Sequence, residues 1–91
     1  MSRDEIVRRM ESKYRDELDL YRVLHGVCLE QHRAAKNGQM EEVVRLSQVK
    51  SDLMKQISAL ESEIQALRSE LRRIDSNLPQ RHGQHRLKGL A

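Results

Sequence analysis

Leu46, Leu53, Leu60, Leu67 and Ile74 recur at intervals of seven residues. Val43, Ile57, Ile64, Leu71 and Leu78 form a second row beside the first, interrupted only by Lys50. Two apolar positions in seven, sustained over five heptads, mark a helix that supercoils against another helix. The pattern predicts a helix over about 40–77. Pro79 ends it, because the proline ring pushes the backbone of Leu78 away from the helical region.

The first third of the chain carries a looser version of the same rhythm. Ser2 and Glu5 have the spacing of a capping box, which satisfies backbone N–H groups at a helix start, so a first helix is expected over about 3–36. Its seam is written with spacings of three and four as Val7, Met10, Tyr14, Glu17, Tyr21, Leu24, Cys28, Gln31 and Ala35. Ile6, Leu18, Leu20, Val23 and Val27 broaden it. A face this wide suits a helix with more than one neighbour. Asp4 with Arg8, Glu5 with Arg9 and Glu11 with Arg15 are acidic-then-basic pairs at i, i+4, which favour helix. Asn37 and Gly38 tolerate the left-handed conformation that closes a helix, and Lys36 suits the negative end of its dipole. Two long helices joined by a turn at 37–39 must lie antiparallel as neighbours. The expected fold is therefore all-α: an antiparallel, coiled-coil-like two-helix hairpin over 1–78 that oligomerises into a helical bundle, with a flexible basic tail over 79–91.

Composition narrows the function. With 37% hydrophobic and 34% charged residues, no Trp, no Phe and two Tyr, the chain has the make-up of long helices over a thin core. Residues 1–36 carry eight Lys/Arg against seven Asp/Glu, and residues 37–78 carry six against seven. A helical body so balanced offers no basic stripe for a row of phosphates, and the tail, with Arg81, Arg86 and Lys88, has no aromatic residue to stack on bases. No specific nucleic-acid partner is expected. Nor is a membrane partner, since no run approaches the ~20 apolar residues of a bilayer span. A single cysteine, Cys28, excludes an intrachain disulfide, and the charged start does not read as a signal peptide, so the cytoplasm is the expected location.

Candidate chemistry is sparse. His25, Cys28 and His32 share one side of the first helix and are zinc-type ligands, but Cys28 falls on the packing seam and no fourth ligand is evident, so no metal or other cofactor is expected. No phosphate loop or nucleophile motif is present, and a two-helix rod provides no enclosed pocket. A non-enzymatic protein is expected. Lys50 reads as a register-fixing residue whose stem lies along the groove. The alternative is a partner for an acidic group on another chain, or for an acidic residue within the hairpin, where the antiparallel course brings Glu30 nearer to Lys50 than Glu17, the acidic residue of the first helix's seam.

The stretch from Leu29 to Leu53, with its helix end, its small-residue turn from Ala35 to Gly38, and Val43, Leu46 and Lys50 on the returning helix, resembles the FlgN and FliT type of flagellar export chaperone. The resemblance implies a cytoplasmic chaperone that keeps a flagellar axial protein unassembled by covering its amphipathic, coiled-coil-forming terminus. A long apolar seam is what such a partner helix needs. The expected contact surface is Leu60, Ile64, Leu67, Leu71 and Ile74, on the half of the second helix farthest from the turn. The competing expectation is a structural coiled-coil homodimer or adaptor with no client. In it Glu63 and Arg68 could pair across the dimer, and the Ile and Leu rows would suit parallel strands.

Overall fold

The computed structural model describes residues 1–77. Two α-helices, α1 over Arg3–Lys36 and α2 over Met40–Ser76, pack along each other as a hairpin. There is no strand among the described residues. The predicted tail at 79–91, and Leu78 and Pro79 with it, lie outside them. The long axis measures 63 Å, in keeping with the ~56 Å of a helix the length of α2 at about 1.5 Å per residue. No helix among the described residues is long and apolar enough to cross a membrane.

Each helix end has a local cause. The Ser2 hydroxyl accepts the Glu5 N–H at 3.2 Å, which satisfies one of the orphan donors at the start of α1. At the other end the Gln39 N–H reaches the Ala34 carbonyl at 2.9 Å and the Gly38 N–H reaches that of Ala35 at 3.2 Å. This is the paired closure of a Schellman turn. It requires a left-handed residue, supplied by Gly38 at φ 71°. Gln39 precedes α2 without a side-chain cap, and Glu41 and Glu42 place negative charge in the first turn instead.

Along α2 the heptad expectation holds at every position from Val43 to Ile74. Leu46, Leu53, Ile57 and Ile64 are buried, and Val43, Lys50, Leu60, Leu67, Leu71 and Ile74 are half-buried. On α1 one of the two rows moves by a residue. Met10, Glu17, Leu24 and Gln31 sit in the seam as expected, but the second row is Ile6, Lys13, Leu20, Val27 and Ala34. Of the expected row, Val7 and Cys28 stay half-buried, while Tyr14, Tyr21 and Ala35 lie outside the seam, exposed. The reason is chemical. A tyrosine at the edge keeps its hydroxyl wet while its ring covers apolar surface, and Lys13 lays its stem in the seam while its ammonium pairs with Glu63 on α2.

Polar contacts fix the antiparallel register. Arg3 meets Asp75 at 3.1 Å at the open end, and near the turn Gln31 donates to the Ser47 hydroxyl at 2.6 Å and to the Val43 carbonyl at 3.3 Å. Facing residues thus have numbers that sum to about 78, as Arg3 and Asp75 or Gln31 and Ser47 do. Within each helix the ion pairs are i, i+3: Asp19 with Arg22, Glu30 with Arg33, Glu42 with Arg45 and Glu70 with Arg73. The i, i+4 pairs expected of Asp4, Glu5 and Glu11 are not among the ion pairs of the described residues. Arg8 turns instead to the Asp4 carbonyl at 3.5 Å.

Candidate functional site

The shift on α1 creates the most distinctive surface of the hairpin. Moved out of the seam, Tyr14 and Tyr21 line one of its two edges together with Leu18, which lies one turn from each. Across from them the same edge of α2 carries Ser47, Ser51, Met54, Ser58, Glu61 and Arg68. Tyr14 is 41% exposed, Leu18 49%, Tyr21 46% and Met54 55%. Four large apolar or amphipathic side chains thus share one side of a rod whose interior is thin.

Two grooves run end to end along this face. One, of about 540 Å³, is lined by Tyr14, Glu17, Tyr21, Ser58, Glu61 and Arg68 among others. The second, of about 490 Å³, is lined by Ser47, Lys50, Ser51, Met54, Lys55 and Ser58. Ser58 borders both, so the two grooves adjoin there, the first between the helices and the second along α2. On the opposite edge a groove of about 420 Å³ lies between Asp16, Asp19, Leu20 and Val23 of α1 and Gln56 and Leu60 of α2.

Charge is unevenly set along the first face. The Tyr21 hydroxyl donates to the Glu61 carboxylate at 3.1 Å. That hydrogen bond to an anion holds the phenol proton and raises the Tyr21 pKa above its ordinary value, with partial desolvation and the charges of Glu61 and Glu17 adding to the effect. Glu17 and Glu61 therefore form an acidic spot where the tyrosines flank the groove. Arg68 reaches the Tyr14 hydroxyl and the Gln65 side chain at its far end. Toward the turn Lys50 lines the groove, and it makes no ion pair among the described residues. Glu30, the nearer candidate within the hairpin, is taken by Arg33.

The residues expected from the sequence to receive a partner, Leu60, Ile64, Leu67, Leu71 and Ile74, form the α2 side of the hairpin's own seam. Ile64 is 4% exposed and faces α1, while the other four keep part of their surface at the seam's edges. Glu63 is engaged by Lys13 within the hairpin, so the Glu63 to Arg68 pairing across a dimer would compete with that contact. His25 and His32 are exposed and Cys28 half-buried. Among the described residues no group of three or more His, Cys, Asp or Glu is gathered as a metal site. The sequence reading missed Met54 and the alignment of Tyr14, Leu18 and Tyr21 on one edge. Their signal is present in the spacing of Tyr14, Leu18 and Tyr21 at i, i+4 and i+7, within the wide face that suits more than one neighbour.

Compared with protein-family models, with curated proteins and with solved structures, the chain matches none.

Proposed function

We propose that this protein is a non-enzymatic helix-binding hairpin that shields an amphipathic segment of another protein by laying it along the Tyr14, Leu18, Tyr21 and Met54 face. The observation that carries the reading is that four large side chains stand 41–55% exposed on one side of the hairpin, with Tyr14, Tyr21 and Met54 lining its grooves. A helix whose apolar positions repeat at i, i+3, i+4 and i+7 would cover them and turn the hairpin into a three-helix bundle. Leu60, of the row expected from the sequence, borders the groove on the opposite edge and takes no part in this contact. No covalent chemistry is needed, because burial of apolar surface supplies the driving force.

The resemblance of residues 29–53 to FlgN and FliT chaperones gives the partner a class: the coiled-coil-forming terminus of a flagellar axial protein, held unassembled in the cytoplasm. The test is size-exclusion chromatography with light scattering of the full chain mixed with candidate filament and junction proteins. A one-to-one complex that Leu18→Asp abolishes supports the reading. Failure of every candidate, and of their terminal helices as peptides, to shift the elution rejects the flagellar client. The second reading, a structural homodimer without a client, is favoured by the arrangement of charge on the same face.

A further inference from the structure

We infer that the docking face is self-complementary and that a second copy of this chain covers it in an antiparallel, two-fold dimer, with Lys50 of each copy seated in the acidic spot formed by Glu17 and Glu61 of the other. The inference rests on the reading of this face as a helix-docking surface and names one occupant for it.

Lys50 is the one polar interruption of the α2 seam, it is half-buried, it opens onto the groove, and no acidic group answers it within the described hairpin. Glu17 is likewise half-buried in a seam position of α1, lines the adjoining groove, and has no cationic partner among the described ion pairs. It lies level with Glu61, as their numbers show, and both act on Tyr21. Lys50, Glu17 and Glu61 thus make no ion pair among the described residues, and the positive and negative groups lie on the same face, separated along α2 by the 11 residues from Lys50 to Glu61, or about 17 Å.

Two hairpins can meet face to face by a two-fold axis in only two ways. With the axis along the rod, the turn ends coincide, and Glu17 and Glu61 of one copy confront the same two carboxylates of the other, while Lys50 confronts Lys50. Like charges opposed in a closing interface are costly. With the axis across the rod, the turn end of one copy meets the open end of the other. If that axis falls midway between Lys50 and Glu61, at residues 55 and 56, both lysines meet both acidic spots at once. The midpoint of α2 lies at residue 58, so this register overlaps the hairpins over nearly their whole length. The axis then passes beside Met54, flanked by the small residues Ser51 and Ser58, with Lys55, which also lines this groove, keeping its ammonium outward in solvent. Tyr21, on the level of Ile57, sits near the same centre. An isologous contact of this kind closes at two copies and leaves no unsatisfied end.

The experiment is sedimentation equilibrium of the full chain and of two charge-reversal variants, Lys50→Glu and Glu17→Lys, alone and mixed. The wild type is expected to dimerise reversibly. Lys50→Glu alone sets only carboxylates at both symmetric sites, and Glu17→Lys alone leaves Glu61 as the single anion beside two cations; each is expected to dimerise at least about tenfold more weakly. Mixed, the two variants restore an opposite-charge pair at both sites, and a heterodimer of near wild-type affinity is expected. Far-ultraviolet circular dichroism on the same samples reports folding. Where a reversal unfolds the chain, Lys50→Gln replaces it and is expected to weaken the dimer severalfold. A wild type that stays monomeric to about 1 mM, variants that dimerise like the wild type, or a mixture that fails to recover the dimer would each overturn the inference. A monomeric wild type that still binds a client helix in a Leu18→Asp-sensitive way overturns the second copy and leaves the helix-binding function standing. A charge-rescued dimer that binds no candidate helix does the reverse.

Discussion

Tyr21 on α1 donates its hydroxyl hydrogen to the Glu61 carboxylate on α2 across 3.1 Å, at the edge of the seam. The contact ties together the two helices and the two halves of the functional argument, because the ring belongs to the exposed apolar row and the carboxylate to the acidic spot. Its consequence is measurable. A phenol hydrogen-bonded to an anion gives up its proton less readily, so Tyr21 ionises above its ordinary value. The stabilisation from this bond is present below the unfolded tyrosine value and is lost as pH rises through the folded one. In a Tyr14→Phe background, where Tyr21 is the remaining tyrosine, ultraviolet titration should give a raised pKa. Glu61→Gln should bring it back toward the ordinary value.

The glycines give a second prediction with two signs. Gly38 holds φ 71° in the Schellman turn, and a Cβ there would meet nothing within 4 Å, so Gly38→Ala costs only the backbone strain of a left-handed residue, about 1–2 kcal/mol. Gly26 is helical and exposed, with equally open space around it. Gly26→Ala should stabilise by about 0.8–1 kcal/mol. Urea denaturation of both variants beside the wild type checks the pair.

A thin core makes each buried side chain count. Ile57 is 5% exposed and lies near the centre of the seam. Ile57→Ala should cost about 2–5 kcal/mol, a large share of the stability of a small domain. Leu18→Asp, at a residue 49% exposed, should change the stability of the isolated hairpin little while abolishing the proposed helix docking. Thermal melts at a concentration below dimerisation separate the two effects.

Acid should loosen the helices at identifiable places. Hydrogen bonds from Arg45 and Arg73 hold the carboxyls of Glu42 and Glu70 below their ordinary values. Stabilisation from depressed carboxyls is present above the unfolded glutamate value and disappears as pH falls through the folded one. These pairs are exposed, so the effect is small and screened by salt. Nuclear magnetic resonance titration of the glutamate side chains should place Glu42 and Glu70 on the acidic side of the ordinary value, with Arg45→Gln and Arg73→Gln each releasing its partner.

The sequence made the second helix readable almost residue by residue, since its apolar rows repeat every seven positions and the only polar member, Lys50, stays at its heptad place. The turn was equally legible, because Asn37 and Gly38 have few other uses after a run of helix formers. The first helix was legible in its limits and in half of its seam. Periodicity alone favoured Tyr14 and Tyr21 over Lys13 as core, whereas the fold uses a lysine stem inside and tyrosine rings at the edge. Amphipathic side chains of this kind satisfy two positions in the pattern, and cross-helix contacts such as Lys13 with Glu63 and Tyr21 with Glu61 decide between them. The exposed edge of Tyr14 and Tyr21 was hidden by the same ambiguity, since positions inside the seam in one register become surface in the other.

The most direct test of the helix-docking face is the binding of candidate flagellar axial proteins, and of their terminal helices, to wild-type chain and to Leu18→Asp, read as complex mass by light scattering. The account predicts a complex with the wild type that the variant cannot form, although its helical content is unchanged. Binding that survives Leu18→Asp with full affinity would contradict it, and would place the docking surface elsewhere on the hairpin.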